Sequence, residues 1–140
     1  MIRRFELADI EEILHIEARA FPKSSYTADM FLDFYRRYSD TFFVLKEEQV
    51  RGYIIFKPDG HVISLAVDPP YRRRGIGTRL MRACESCCRV ERLFVEVREG
   101  NIVAQKFYEK LGFVLKARIS RYYGTEDALV MEKNWPPTRD

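Results

Sequence analysis

Ser64-Leu65-Ala66-Val67-Asp68-Pro69-Pro70-Tyr71-Arg72-Arg73-Arg74-Gly75-Ile76-Gly77-Thr78-Arg79-Leu80-Met81 is the stretch on which the reading of the fold turns. Val62 to Val67 is a short apolar run and reads as a buried strand. Asp68-Pro69-Pro70 stops it, because proline has no N–H for a strand ladder and restricts the residue before it. Three arginines and two glycines follow. Then Ile76, Leu80, Met81, Cys84, Cys87 and Cys88 recur at helical spacing. The unit is strand, basic glycine-rich turn, helix. Such a turn points backbone N–H groups outward at the positive end of a helix dipole, and glycines let a phosphate come close. A basic surface loop with glycines for a turn is the plain alternative.

Outward from this stretch, the chain of 140 residues suits one domain with a real core. Hydrophobic residues make up 46% and charged residues 32%, a globular composition rather than a disordered one. No apolar run approaches the ~20 residues of a membrane span, and Met1 to Glu6 lacks a signal peptide's apolar segment. A cytoplasmic protein with no membrane partner is expected. The net charge of +3 is too small to argue for nucleic acid, which calls for a clustered basic stripe. Cys84, Cys87 and Cys88 fall within one expected helix, an odd number that makes no disulfide framework. No second ligand pair accompanies them, and His15 and His61 stand apart, so no metal is expected. The thiols read as small core hydrophobes.

In chain order, Ile2 to Phe5 is a first strand. Asp9 caps a helix, with Glu12 as its capping-box partner and Ile10, Ile13, Leu14, Ile16 and Ala20 at helical spacing. Phe21 to Tyr26 breaks it. A second helix, Thr27 to about Tyr38, carries Met30, Phe31, Phe34, Tyr35 and Tyr38 on one side. Thr41 to Lys46 and Val50 to Lys57 read as a hairpin, and Pro58-Asp59-Gly60 as a turn. Arg92 to Val97 reads as a central strand bearing one acid, Glu96. A helix from about Asn101 to Leu111 ends at Gly112, suited to a left-handed cap. Phe113 to Leu115 with Ala117 to Tyr123 form the next strand, and Ala128 to Lys133 the last. Residues 1–135 are expected to form a single domain, and 136–140 a polar tail. The fold class is α+β, a mixed α/β arrangement with about seven strands in a mostly antiparallel sheet and helices on both faces. The strands flanking the glycine-turn helix should be parallel, by the crossover rule.

A P-loop needs Lys-Ser or Lys-Thr after its last glycine, where Thr78-Arg79 stands, and a dinucleotide fingerprint needs a small residue where Leu80 stands. Arg72-x-x-Gly75-x-Gly77 after a strand ending Ala-Val-Asp-Pro instead resembles the pyrophosphate-binding motif of the GNAT acetyltransferase superfamily. The likeness covers essentially the whole chain. A second stretch, Phe94 to Asn101 followed by Ala104 to Phe113, resembles the ribosomal-protein alanine N-acetyltransferases and the archaeal and eukaryotic protein N-terminal acetyltransferases. Those carry an acid before an Arg-x-x-Asn turn and a tyrosine in Tyr-Glu-x-Leu-Gly-Phe. Arg121-Tyr122-Tyr123 and Glu126 to Met131 also look like that subgroup.

The resemblance implies a GNAT fold and acetyl-coenzyme A as co-substrate. Leu65, Ala66, Val67, Arg72, Arg73, Arg74, Gly75, Ile76, Gly77, Thr78, Asn101 and Tyr108 would hold the co-substrate, with a backbone N–H near Val67 on the thioester carbonyl. The acyl acceptor would be a protein N-terminus, a ribosomal protein among the candidates. The protein would be a monomer or weak homodimer. Acyl transfer to an amine needs a neutral amine, a stabilised oxyanion and a protonated leaving thiolate. Glu96, its pKa raised by burial, is the candidate base and Tyr108 the candidate acid. No covalent intermediate is needed, so the cysteines need no role. Each residue also has a plainer reading: Tyr108 as a core aromatic beside Phe107 and Leu111, Glu96 as an acid paired with Arg98 or another cation, Asn101 as a helix cap. Tyr122 and Tyr123 are either strand residues or aromatics around the peptide. Phe21, Pro22 and Tyr26 fall in the loop that lines the peptide groove of relatives, with Lys23 where some relatives have an acid. Two other readings stand beside this one: a GNAT acting on a lysine side chain or small amine, and a non-catalytic coenzyme-A-binding regulatory module.

Overall fold

The computed structural model describes residues 1–88 and 91–134; Trp135 and the expected tail lie outside them. The elements are β1 (Ile2–Arg4), α1 (Ile10–Ala20), α2 (Ala28–Tyr38), β2 (Phe42–Lys46), β3 (Val50–Phe56), β4 (His61–Val67), α3 (Ile76–Cys87), β5 (Arg92–Arg98), α4 (Ile102–Lys110), β6 (Val114–Ile119) and β7 (Ala128–Asn134). The strands form one seven-stranded sheet in the order β1-β2-β3-β4-β5-β7-β6. β1 with β2, β2 with β3, β5 with β7 and β6 with β7 are antiparallel. β4 and β5, on either side of α3 in the chain, run parallel with His61 opposite Phe94 and Val62 opposite Val95. The α+β class with a mixed, mostly antiparallel sheet is therefore what the chain adopts. The described residues divide into two compact units, Met1–Lys57 with Ser64–Cys88, and Pro58–Ile63 with residues 91–134.

In the first unit, strand alternation on β3 sorts the helices. A Cβ placed on Gly52 would lie 3.1 Å from both Ile76 Cγ2 and Leu80 Cδ1, so that side of β3 faces α3. The next residue, Tyr53, touches the Phe31 ring of α2 edge-on at 5.5 Å and hydrogen-bonds Glu17 of α1. Helices thus cover both faces of this part of the sheet. Phe5, Phe31, Phe42 and Tyr53 build an aromatic core, with Phe5 and Phe42 stacked at 4.2 Å. Cys84 and Cys88 are buried with their sulfurs 3.9 Å apart, while Cys87 is exposed; all three are free thiols. The hydrogen bond with Cys88 and burial push the Cys84 thiol up, which keeps it unreactive.

Two local expectations change. Asp9 ends a 3₁₀ turn, Leu7–Asp9, and makes no side-chain cap on α1. Its carboxylate turns back to accept two bonds from the Arg3 guanidinium, at 2.8 and 2.9 Å, and the Glu6 N–H at 2.9 Å. Glu12, expected to complete a capping box with Asp9, accepts the Val50 N–H at the head of β3, at 2.5 Å. A half-buried guanidinium is a stronger partner for a carboxylate than a helix-end amide. In the second unit, β6 stops at Ile119 rather than Tyr123. Arg121 has φ 52° and Gly124 φ 84°, and the Gly124 N–H donates to the Arg121 carbonyl at 3.1 Å, so the chain turns there. Between Leu115 and Ala117 the register of β6 on β7 shifts.

Candidate active site

The glycine turn lies in the first unit. Arg72, Arg73, Arg74 and Gly75 are exposed, and Ile76 and Gly77 are buried at the start of α3. Gly75 precedes the helix in the left-handed region at φ 79°, and nothing lies within 4 Å of where a Cβ would stand. The first amides of a helix have no carbonyl one turn back, so Ile76, Gly77 and Thr78 present N–H groups at its positive end. Arg73 also has a positive φ, 66°, which is costly outside glycine and fits a backbone shaped for a ligand. Tyr71 braces the turn: the Arg51 guanidinium stacks 3.9 Å from its ring centre and that of Arg74 at 5.1 Å. Arg19 of α1 pairs with Asp68 at 3.1 Å. Three exposed cations, an open left-handed glycine and a twelve-residue helix starting there suit a diphosphate. Leu65 and Val67 of β4 are half-buried and Ala66 is buried.

In the same unit, Phe21 and Tyr26 are half-buried and Pro22 is exposed, all in the link from α1 to α2. The Tyr26 ring meets Phe34 edge-on at 5.2 Å and Phe31 at 5.8 Å. Glu17 lies beneath this loop, 1% exposed. Its Oε1 accepts the Tyr26 N–H at 3.0 Å and its Oε2 the Tyr53 hydroxyl, which lies 2.9 Å from Ser64 Oγ. Burial pushes the Glu17 carboxyl above its usual value against the lowering by those two donors, and burial and Glu17 together hold the Tyr53 hydroxyl well above its own.

The second unit holds Glu96. On β5, Leu93, Val95 and Val97 point into the core, and Phe94, Glu96 and Arg98 share the half-buried other face. The parallel register sets His61 beside Phe94, and the two rings stack at 4.7 Å, 4° from parallel. From there His61 Nε2 reaches the Glu96 carboxylate at 2.6 Å. The Glu96 side chain is 20% exposed, so it is less buried than the sequence led one to expect, and its carboxylate meets the imidazole of His61. Arg98 stacks 4.0 Å over the Tyr123 ring and pairs with Glu126 at 3.2 Å. Glu126 Oε2 also takes the Gly100 N–H at 2.7 Å, and Tyr123 meets Tyr122 edge-on at 4.9 Å. Tyr122 and Tyr123 therefore stand on a turn tied to the end of β5, not in a strand.

Tyr108 is 5% exposed, edge-on to Phe107 at 5.2 Å and to Phe113 at 5.3 Å. Its ring is a core aromatic. Asn101 caps α4, its Oδ1 accepting the Ala104 N–H at 3.1 Å. Sequence reasoning missed His61, Glu17 and Tyr53. For His61 the available signal was its place at the head of the organising strand, directly after a turn; for Glu17 it was a charged residue in the apolar stripe with Ile13 and Ile16.

The Acetyltransferase (GNAT) family model matches residues 10–113, and the chain belongs to that family. It is an N-acetyltransferase, an acyl-transferring enzyme. It is 34% identical to an uncharacterized N-acetyltransferase of Methanocaldococcus jannaschii, over 97% of this chain and 92% of that protein. It is also 34% identical to an N-alpha-acetyltransferase of Sulfurisphaera tokodaii, over 93% of this chain and 90% of the relative. The solved structure of Ard1 from Thermoplasma volcanium superposes with a TM-score of 0.87 at 33% identity, covering 96% of each chain. No helix among the described residues is long and apolar enough to cross a membrane.

Proposed function

We propose that this chain transfers the acetyl group of acetyl-coenzyme A to the N-terminal α-amine of a protein, as one domain over residues 1–135. The observation that carries the reading is the 2.6 Å contact of His61 Nε2 with the Glu96 carboxylate on the half-open face of β5. A carboxylate with an imidazole against it can take a proton and pass it on, which an attacking ammonium must lose. The α-amine has a pKa near ~8 against ~10.4 for lysine, so a single modest base suffices. A relative named as an N-alpha-acetyltransferase, alike over 93% of this chain, supports the same acceptor.

In this reading Arg72, Arg73 and Arg74 with the N–H groups of Ile76, Gly77 and Thr78 bind the diphosphate of the co-substrate, and Leu65, Ala66, Val67 and Asn101 line its acyl arm. Glu96, backed by His61, accepts the proton of the amine. Tyr108 holds the proton that the departing thiolate needs. Phe21, Pro22, Tyr26, Tyr122 and Tyr123 contact the first residues of the peptide. The co-substrate supplies an activated acyl group, so no metal and no enzyme nucleophile is called for.

Free-thiol release from acetyl-coenzyme A, measured over a peptide panel, tests the reading. Each peptide is offered with a free N-terminus and with a blocked N-terminus plus an internal lysine, beside spermidine. Turnover of the free N-termini, small or methionine-type first residues foremost, is the expected result. Turnover of only the blocked lysine peptides or the polyamine would move the acceptor to a side chain or small amine. Binding without turnover of any acceptor would leave a coenzyme-A-binding module.

A further inference from the structure

Glu17 is the unexplained group in the first unit. A carboxylate 1% exposed in the apolar stripe of α1 is costly, and a leucine of similar size would pack there at no electrostatic cost. Its four contacts show what it does. The backbone carbonyl of Glu17 accepts the Phe21 N–H at 2.8 Å and lies 3.4 Å from the Ser25 hydroxyl, which donates to the Phe21 carbonyl at 2.6 Å. Its carboxylate accepts the Tyr26 N–H at 3.0 Å and the Tyr53 hydroxyl. Both ends of the loop from Phe21 to Tyr26 are thus fastened to one residue. The Tyr26 N–H lies just before α2, where no helix or strand carbonyl serves it, and an unserved amide would cost stability. Tyr53 is fully buried, so its hydroxyl needs a partner inside the protein; it donates to Glu17 and faces Ser64, the residue before Leu65 on β4.

We propose that Glu17 is a positioning residue for peptide recognition: from inside the core it fixes the path of the Phe21–Tyr26 loop through the Tyr26 N–H, and so sets where Phe21 and Tyr26 meet the acceptor. This rests on the reading of that loop as peptide-facing. Glu17 touches neither acceptor nor co-substrate. Its effect falls on acceptor binding and not on the chemical step, which separates it from Glu96 and from a residue that merely holds the fold.

The experiment compares Glu17→Met, of similar length without an acceptor, with Glu17→Gln, whose amide oxygen can still take the Tyr26 N–H while its NH₂ faces Tyr53 Oη. Thiol release is measured with a free-N-terminus peptide that the wild-type chain turns over, acetyl-coenzyme A affinity by calorimetry, and Tyr26 amide exchange by NMR. In Glu17→Met the peptide KM is expected to rise about tenfold or more, the loss of one buried acceptor, with kcat and co-substrate affinity little changed and Tyr26 exchange faster. Glu17→Gln should restore the peptide KM. If Glu17→Met does not fold, Glu17→Asp takes its place, one methylene too short to span both donors, with a peptide KM raised about threefold or more. An unchanged peptide KM in a folded variant overturns the proposal. So does a parallel fall of kcat, co-substrate affinity and peptide affinity, and so does a Tyr26 amide that exchanges freely in the wild-type chain. Absence of any wild-type turnover of free N-termini instead defeats the proposed function, while the exchange measurement still decides whether Glu17 holds the loop.

Discussion

His61 and Glu96 are thirty-five residues apart in the chain, yet Nε2 of one lies 2.6 Å from Oε2 of the other. The parallel pairing of β4 with β5 puts the imidazole flat against Phe94, two residues before the acid and on the same strand face. The stacked ring fixes the imidazole plane, so the nitrogen that meets Glu96 is held rather than searching for it. The pair lies on a half-open face, with Arg98 and Tyr123 stacked next along it.

Removing either member should slow the chemical step. Glu96→Gln is expected to lower kcat about 10²-fold, and His61→Phe, which keeps the stack on Phe94, about tenfold or more. The double variant should be little worse than Glu96→Gln, because groups that act as a unit do not add. Thiol-release kinetics with co-substrate affinity measured alongside would check this. Full activity in both single variants would remove proton transfer by this pair from the mechanism.

Two glycines should fail for different reasons. A Cβ at Gly52 would stand 2.9 Å from the Ala66 carbonyl and 3.1 Å from Ile76 and Leu80, so Gly52→Ala must push α3 or β4 aside. A loss of about 1–3 kcal/mol is expected, from overpacking. Gly75→Ala meets open space, but its φ of 79° penalises any side chain, by about 1–2 kcal/mol. Thermal unfolding should show both losses. Calorimetry should show acetyl-coenzyme A affinity falling in each, since both variants disturb the start of α3.

The turn that carries Tyr122 and Tyr123 should loosen when Glu126 is removed. Its two oxygens hold the Arg98 guanidinium and the Gly100 N–H. Glu126→Ala is expected to raise the peptide KM several-fold, with stability lowered by about 1 kcal/mol because the pair is half-exposed. A steady-state titration of peptide at saturating co-substrate reads it. An unchanged peptide KM would take Tyr122 and Tyr123 out of the acceptor site.

Acid stability should depend on Asp9. Burial raises its carboxyl, but the Arg3 hydrogen bonds, the Glu6 N–H and the Arg3 charge outweigh that and hold it below the usual 3.8. Between the lowered folded value and the usual one, the unfolded chain binds more protons, so stability rises with pH across that window. The contribution is complete above the usual value and is lost as pH falls through the folded one. Asp9→Asn should therefore cost about 1.5–3 kcal/mol at neutral pH, the worth of hydrogen bonds to a charged group. The difference from wild type should shrink below about pH 4. Urea unfolding at several pH values would test it, and a pH-independent difference would argue against the ion pair.

By itself the sequence determined the parts whose physics is local. Asp68-Pro69-Pro70 ended a strand, Gly75 opened a helix at a left-handed step, Asn101 capped α4 through Ala104, and Gly112 closed it at φ 96°. Each rests on neighbours three or four residues apart, where residue type and spacing already set the geometry. The motifs around Arg72 to Gly77 and Glu96 to Asn101 were legible for the same reason, and with them the family. Only the tertiary structure decided who meets whom across the chain. Glu12 left its expected cap for Val50, Glu17 went to Tyr26 and Tyr53, and Glu96 met His61. It also decided that β7 lies between β5 and β6. A side chain that can bond has several partners of suitable chemistry in the sequence, and strand register and burial choose among them, because a one-residue shift would turn each to the opposite face of its strand.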